Sequence, residues 1–182
     1  MKDDSHLIEV KTGSQRVFDG YLLHINRDDI RLPDGKHATR EYVVHPGAVM
    51  VIPVLPDGRL LMERQFRYPL DRVFIEFPAG KLEAGEDPLE CAKRELLEET
   101  GYTATEWQFL GVIHPLISYA TEEIKIFLAR DLTEGEAQLD DGEFVETVAM
   151  SLEELKASVL DGRVTDGKTT SGIFWADQLL NR

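Results

Sequence analysis

The chain of 182 residues carries 34 acidic against 20 basic side chains, a formal net charge of −14, and one cysteine. It is long enough for one domain with a real core, but its charge excludes nucleic acid and anionic membrane as natural partners, and Cys91 alone excludes an internal disulfide, which suits a reducing cytoplasm. The polar start Met1-Lys2-Asp3-Asp4-Ser5 is not a secretory signal, and the longest apolar run, Val49 to Leu55, is too short to cross a bilayer and contains Pro53.

The first third reads as strands. Leu7-Ile8-Glu9-Val10 precedes a turn at Gly13, Val17 to Ile25 alternates loosely, Pro33-Asp34-Gly35-Lys36 is a turn, and Tyr42-Val43-Val44 opens a further strand. Val49 to Leu55 and Leu60 to Phe66 flank Pro56-Asp57-Gly58-Arg59, a hairpin signal. A helix follows, with Asp87 as N-cap, Pro88 at the first helical position and Gly101 just past its end. Strands are predicted around Trp107 to Ile113 and Ile124 to Ala129, then an acidic loop over Thr133 to Gly142, then a strand from Phe144 to Met150. Ser151-x-x-Glu154 is a capping box for a helix to about Leu160, and a last helix runs from about Thr169 to Leu180. This order predicts an α/β sandwich around a mixed sheet. Residues 1–40 form a β-rich N-terminal lobe and residues 41–182 the main domain.

The helix after Asp87 is the chemical signal. On a helical wheel Glu95, Glu98 and Glu99 share an arc of about 100°, while Leu89, Ala92 and Leu96 form a neighbouring apolar stripe. Carboxylates on one helix face repel. They also offer the hard oxygen ligands that Mg²⁺ or Mn²⁺ takes, and a bound cation would offset the repulsion and neutralise the approach of a phosphate ester. The alternative is a solvated acidic face. Pro78-Ala79-Gly80 lets a backbone come close to a ligand, and Glu86 can pair with Arg94 to pin that loop to the helix.

Gly80, Glu86, Arg94-Glu95-Leu96, Glu98-Glu99 and Gly101-Tyr102 together resemble the signature of the Nudix hydrolase family. That resemblance implies a mixed β-sheet between helices, a loop–helix–loop metal site, and hydrolysis of a nucleoside diphosphate linked to another group. It implies metal ligation by Glu95, Glu98, Glu99 and the Ala79 carbonyl, with Glu86 and Arg94 structural. Arg40-Glu41, Glu63-Arg64-Gln65-Phe66-Arg67 and Ile75-Glu76-Phe77-Pro78-Ala79-Gly80 resemble the ADP-ribose pyrophosphatase branch. From that branch follow a phosphate-holding role for Arg67, substrate-binding candidates Arg40, Glu41 and Glu76, a base-stacking aromatic at Phe18 or Tyr21, and a homodimer through the N-terminal lobe. His114-Pro115-Leu116 departs from the branch, whose proline comes later and beside a glycine. GDP-mannose, ADP-glucose or another sugar nucleotide therefore stays open beside ADP-ribose.

The catalytic base, by the same resemblance, is a glutamate on the loop Gln138-Leu139-Asp140-Asp141-Gly142-Glu143. Glu143 is the candidate and Glu146 the runner-up; otherwise the water is activated by the metal alone or by a helix glutamate such as Glu98. No G-x-x-x-x-G-K-[ST], H-E-x-x-H or paired-cysteine motif competes. A non-catalytic nucleotide sensor of the same fold is the contrasting reading. Such sensors usually lose the helix glutamates, which this chain keeps.

Overall fold

The computed structural model describes residues 3–139 and 141–180. Met1 and Lys2 of the polar start, and Asp140 of the acidic loop, lie outside the described residues. In chain order the elements are β1 (Val10–Asp19), β2 (His24–Arg31), β3 (His37–Val43), β4 (Ala48–Pro53), β5 (Leu60–Arg67), β6 (Arg72–Glu76), β7 (Ala79–Lys81), α1 (Pro88–Thr100), β8 (Tyr102–Ile113), β9 (Ile124–Glu134), β10 (Val145–Met150), α2 (Leu152–Leu160) and α3 (Gly167–Leu180). They group into two units. The first holds the residues up to Pro46 with Leu116–Glu122, and the second holds Gly47–Pro115 and the chain from Glu123 onward.

The first unit is an antiparallel sheet in the order β1-β2-β3. β1 is exposed along nearly its whole length. The expected turn at Gly13 is absent: Gly13 lies inside β1, where the register to β2 shifts between Lys11 and Gly13, so the glycine marks a bulge. Ser5–Leu7 is instead a short 3-10 turn, and Tyr42 and Val43 end a strand that the sequence reading had them begin.

The second unit is built around β4. All six of its residues are buried, because side chains alternate between two cores. Ala48, Met50 and Ile52 face one cluster with Leu60, Met62, Phe77, Leu155 and Ile173. Val49 and Val51 face the other, with Cys91, Ala92 and Leu96 of α1. β4 pairs parallel with β9 and antiparallel with β7, giving a mixed sheet β7-β4-β9-β8. A second sheet runs β10-β5-β6. The turn at Pro56–Arg59 forms as expected, with Leu55 N donating to Arg59 O at 2.8 Å. The strands it joins do not form a hairpin ladder, however. Beyond one bridge between Val54 and Leu60 they part into different sheets.

Local rules hold well at the helices. Asp87 accepts from Leu89 N and Glu90 N at 2.9 and 3.3 Å, a cap of about 1 kcal/mol. Gly101 ends α1 at φ 78°, and a side chain there would meet backbone atoms of residues 135–137 within 3 Å. Ser151 and Glu154 make the full capping box of α2. α3 begins two residues before the expected Thr169, because Asp166 accepts from Thr169 N at 3.0 Å and so caps the helix from further back.

Candidate active site

α1 presents its apolar stripe to β4 and its acidic stripe to the strand β7. Gly80 of β7 is held against Glu95 so closely that a Cβ added there would lie 1.9 Å from the carboxylate. Only glycine leaves that room. One residue earlier, Ala79 N donates to Glu99 Oε2 at 3.0 Å. The strand edge and the helix face are thus fitted to each other through the carboxylates themselves.

The repulsion among these carboxylates is partly met from within the helix. Arg94 Nη1 donates to Glu95 Oε1 at 2.8 Å and to Glu98 Oε2 at 2.9 Å. Its Nε and Nη2 take the two oxygens of Glu86 at 2.9 and 3.0 Å, which is the expected pin between loop and helix. That forked contact holds the Glu86 carboxyl down at about 2. Glu99 gains no such partner. Burial raises its carboxyl far above the ordinary range, and the charges of Glu63 and Glu95 push the same way. Burial also raises Glu95, against the pull of Arg94.

Two groups that sequence reasoning missed complete the cluster. Glu63 on β5 is 2% exposed and hydrogen-bonds Glu99. Its neighbour across the ladder is Glu76 of β6, an arrangement of like charges that destabilises a sheet unless compensated. The compensation comes from Arg67, whose Nε and Nη2 donate to the two oxygens of Glu76 at 2.7 and 2.9 Å, and from Lys168 of α3. Lys168 Nζ contacts Glu76 and donates to Asp166 at 2.9 Å. No motif flagged Lys168. The Asp-x-x-Thr cap around it was the available signal, since it fixes where α3 starts and hence which residue faces β6.

Glu143 lies just before β10. Gln65 Nε2 donates to its Oε1 at 3.1 Å, and its charge reaches Glu63, Glu95 and Glu99. Glu146 stands apart from that group. It sits opposite Arg64 in the β10–β5 ladder, so it shares the sheet face of Arg64 and not that of Glu63 and Gln65, and Arg64 Nη1 donates to it at 2.6 Å. Arg40, Glu41 and Phe18 belong to the first unit. There Arg40 Nε donates to Glu9 at 3.0 Å. Glu9, Arg40, Glu41, Tyr42, Ser118 and Tyr119 help line a cleft of about 430 Å³. Phe18 is half-exposed, and Tyr21 is fully exposed on the turn between β1 and β2.

Among the described residues no three His, Cys, Asp or Glu side chains stand already converged on one point as metal ligands. Arg94 holds Glu95 and Glu98 instead. The residues nevertheless fit a divalent cation. The donor set is carboxylate oxygen, which suits hard ions. Gly80, lacking a side chain, lets the Glu95 carboxylate lie directly against the strand edge, and among the described residues Glu63 Oε1 is buried with no hydrogen-bond partner.

Comparison with known proteins bears on the family and the fold. The NUDIX domain family matches residues 44–170, and the family described as nucleoside diphosphate sugar hydrolase N-terminal domain matches residues 9–43. An ADP-ribose pyrophosphatase of Bacillus subtilis is 41% identical over 91% of each chain. A methanol dehydrogenase activator of Bacillus methanolicus is 38% identical over 92% of each. A crystal structure of an ADP compounds hydrolase matches with a TM-score of 0.85 over 95% of this chain and 94% of that one, at 24% identity, a likeness of fold.

Proposed function

The chain belongs to the NUDIX family, and from that premise we propose that it hydrolyses the pyrophosphate of a nucleoside diphosphate sugar, ADP-ribose first among them, to AMP and ribose 5-phosphate. The observation that carries the reading is the packing of Glu95 and Glu99 against the Ala79–Gly80 strand edge, with Glu63 and Glu143 in the same cluster. The full-length likeness to an ADP-ribose pyrophosphatase supports the choice of substrate.

Glu95, Glu98, Glu99 and the Ala79 carbonyl would hold Mg²⁺ or Mn²⁺. When bound, such ions supply positive charge that polarises the phosphorus and stabilises the leaving phosphate. Glu143 takes the proton of the attacking water. Its carboxylate stands at the edge of the cluster, held through one oxygen by Gln65. Arg67 spends two of its five donors on Glu76 and turns the rest to a phosphate oxygen. Glu76 fixes the guanidinium for that contact, and Lys168 keeps Glu76 from competing for it as an uncompensated charge. Arg40, Glu41 and Phe18 serve the nucleoside or sugar from the N-terminal lobe.

A panel of ADP-ribose, GDP-mannose, ADP-glucose and NADH tests the reading. The highest kcat/KM should fall on ADP-ribose, and all activity should vanish in EDTA. A clear preference for another sugar nucleotide overturns the substrate, and full activity in EDTA overturns the chemistry. The relative named as an activator of a dehydrogenase raises a regulatory reading; the presence of every helix carboxylate favours catalysis.

The lobe bears on assembly. Leu7, Ile8, Val10, Val17, Phe18 and Leu22 are all exposed, and so small a strand-rich unit buries little of itself. It should pack on a second copy. Light scattering at micromolar concentration should give a homodimer, and a monomer would refute this.

A further inference from the structure

Glu63 is the carboxylate of the cluster that the helix motif does not account for. It points from β5 into the second unit's interior at 2% exposure, between Thr147 of β10 and Glu76 of β6. Its side chain shares a hydrogen bond with Glu99. Its Oε1 is, among the described residues, the one buried side-chain oxygen without a partner. Buried polar atoms are satisfied in the great majority of cases, and an exception asks for a cause.

The chain's own cations do not supply one. Arg94 is committed to Glu86, Glu95 and Glu98. Arg67 is committed to Glu76, and Lys168 to Glu76 and Asp166. Glu63 therefore brings an additional carboxylate, with one open oxygen, directly against Glu99; the charge of Lys168 reaches it, but among the described residues no positive side chain is bonded to that oxygen. A purely structural residue at this buried position would be apolar, like its neighbours Leu61 and Met62.

We propose that Glu63 is a member of the divalent-cation site, turning its open oxygen toward the ion's coordination shell beside Glu99. This rests on the reading of Glu95, Glu98 and Glu99 as cation ligands. The chemistry is that of a hard oxygen donor, and added carboxylate charge strengthens the hold on such an ion.

The test reads metal binding apart from turnover. Mn²⁺ is titrated into the whole chain and free Mn²⁺ is followed by electron paramagnetic resonance. Glu63→Gln should weaken Mn²⁺ binding by about 10–100-fold, the scale seen when groups supporting a metal site are removed. The Mn²⁺-induced rise in Tm should shrink with it, while the metal-free variant melts no lower than wild type. Wild-type Mn²⁺ affinity in Glu63→Gln overturns the proposal and leaves the cation site itself standing. A wild-type chain that binds no Mn²⁺ overturns both. If Glu63→Gln does not fold, Glu63→Met fills the space with an apolar chain of similar length, and unchanged Mn²⁺ affinity there is equally fatal.

Discussion

Glu99→Gln should lower kcat by at least about 10²-fold, the scale of losing one group that stabilises developing charge, and yet raise the melting temperature of the metal-free protein. Both effects follow from its position. Glu99 is 6% exposed, accepts from Ala79 N and touches Glu63. An amide of the same size keeps an oxygen for Ala79 N, gains a donor for Glu63, and removes a charge that burial disfavours. Each kcal/mol recovered is worth about 2–4 °C in a chain of this size.

The pH dependence gives a second, independent sign. Burial raises the carboxyls of both Glu99 and Glu63 above the ordinary value of 4.5, Glu63 to about 8. The native state then binds more protons than the unfolded chain. The stability this provides is complete below about pH 4.5 and is lost as pH rises through about 8 for Glu63 and about 10 for Glu99. In EDTA the wild-type Tm should therefore fall from about pH 5 to pH 8, and Glu99→Gln should flatten that fall. Melting curves by circular dichroism read both. A variant that melts lower than wild type at pH 8, or that keeps wild-type kcat at saturating Mg²⁺, refutes this account of Glu99.

What the sequence made legible was the part governed by local chemistry. Asp87, Gly101 and the Ser151–Glu154 box act within a few residues, so helix ends were readable. The acidic stripe was readable too, because 3.6-residue periodicity sets Glu95, Glu98 and Glu99 together. The failures needed distant information. Pro56–Arg59 specifies a tight turn but cannot specify that β4 will pair with β9 and β5 with β10. Gly13 looks like a turn residue until β2 is beside it. Glu63 lies in a segment that resembles the family branch, yet nothing local in sequence gives it or Lys168 a place in the site. Their roles arise because β5 faces Glu99 and Lys168 of α3 reaches Glu76 of β6, contacts that join residues far apart in the chain. Arg94 is the middle case: its pairing with Glu86 was legible from spacing, while its hold on Glu95 and Glu98 depends on rotamers that spacing does not determine.

The identity of the proton acceptor turns on one face of one sheet. β10 and β5 pair so that Val145 lies opposite Gln65, Glu146 opposite Arg64 and Thr147 opposite Glu63. Side chains alternate along a strand, so Glu146 stands with Arg64 on the face away from Glu63. Its carboxylate is mostly solvent-exposed and already bound to Arg64, a surface pair worth at most about 1 kcal/mol. Glu143 precedes the strand and is free of that alternation. Gln65 reaches it from the face that carries Glu63, and its charge is felt at Glu63, Glu95 and Glu99. A general base typically contributes about 10²–10⁴-fold. Glu143→Gln should therefore cut kcat by that factor while KM and Mn²⁺ affinity hardly move, because the amide keeps an oxygen for Gln65 and no ligand or phosphate contact is lost. Glu146→Gln should leave kcat within about twofold of wild type. Steady-state release of AMP from ADP-ribose measures both. If Glu143→Gln keeps more than half of wild-type kcat and Glu146→Gln does not, the base is Glu146. If both keep it, the water is activated by the metal alone or by a carboxylate of the helix itself, and Glu98 is the one whose hold by Arg94 Nη1 would have to open for it to act.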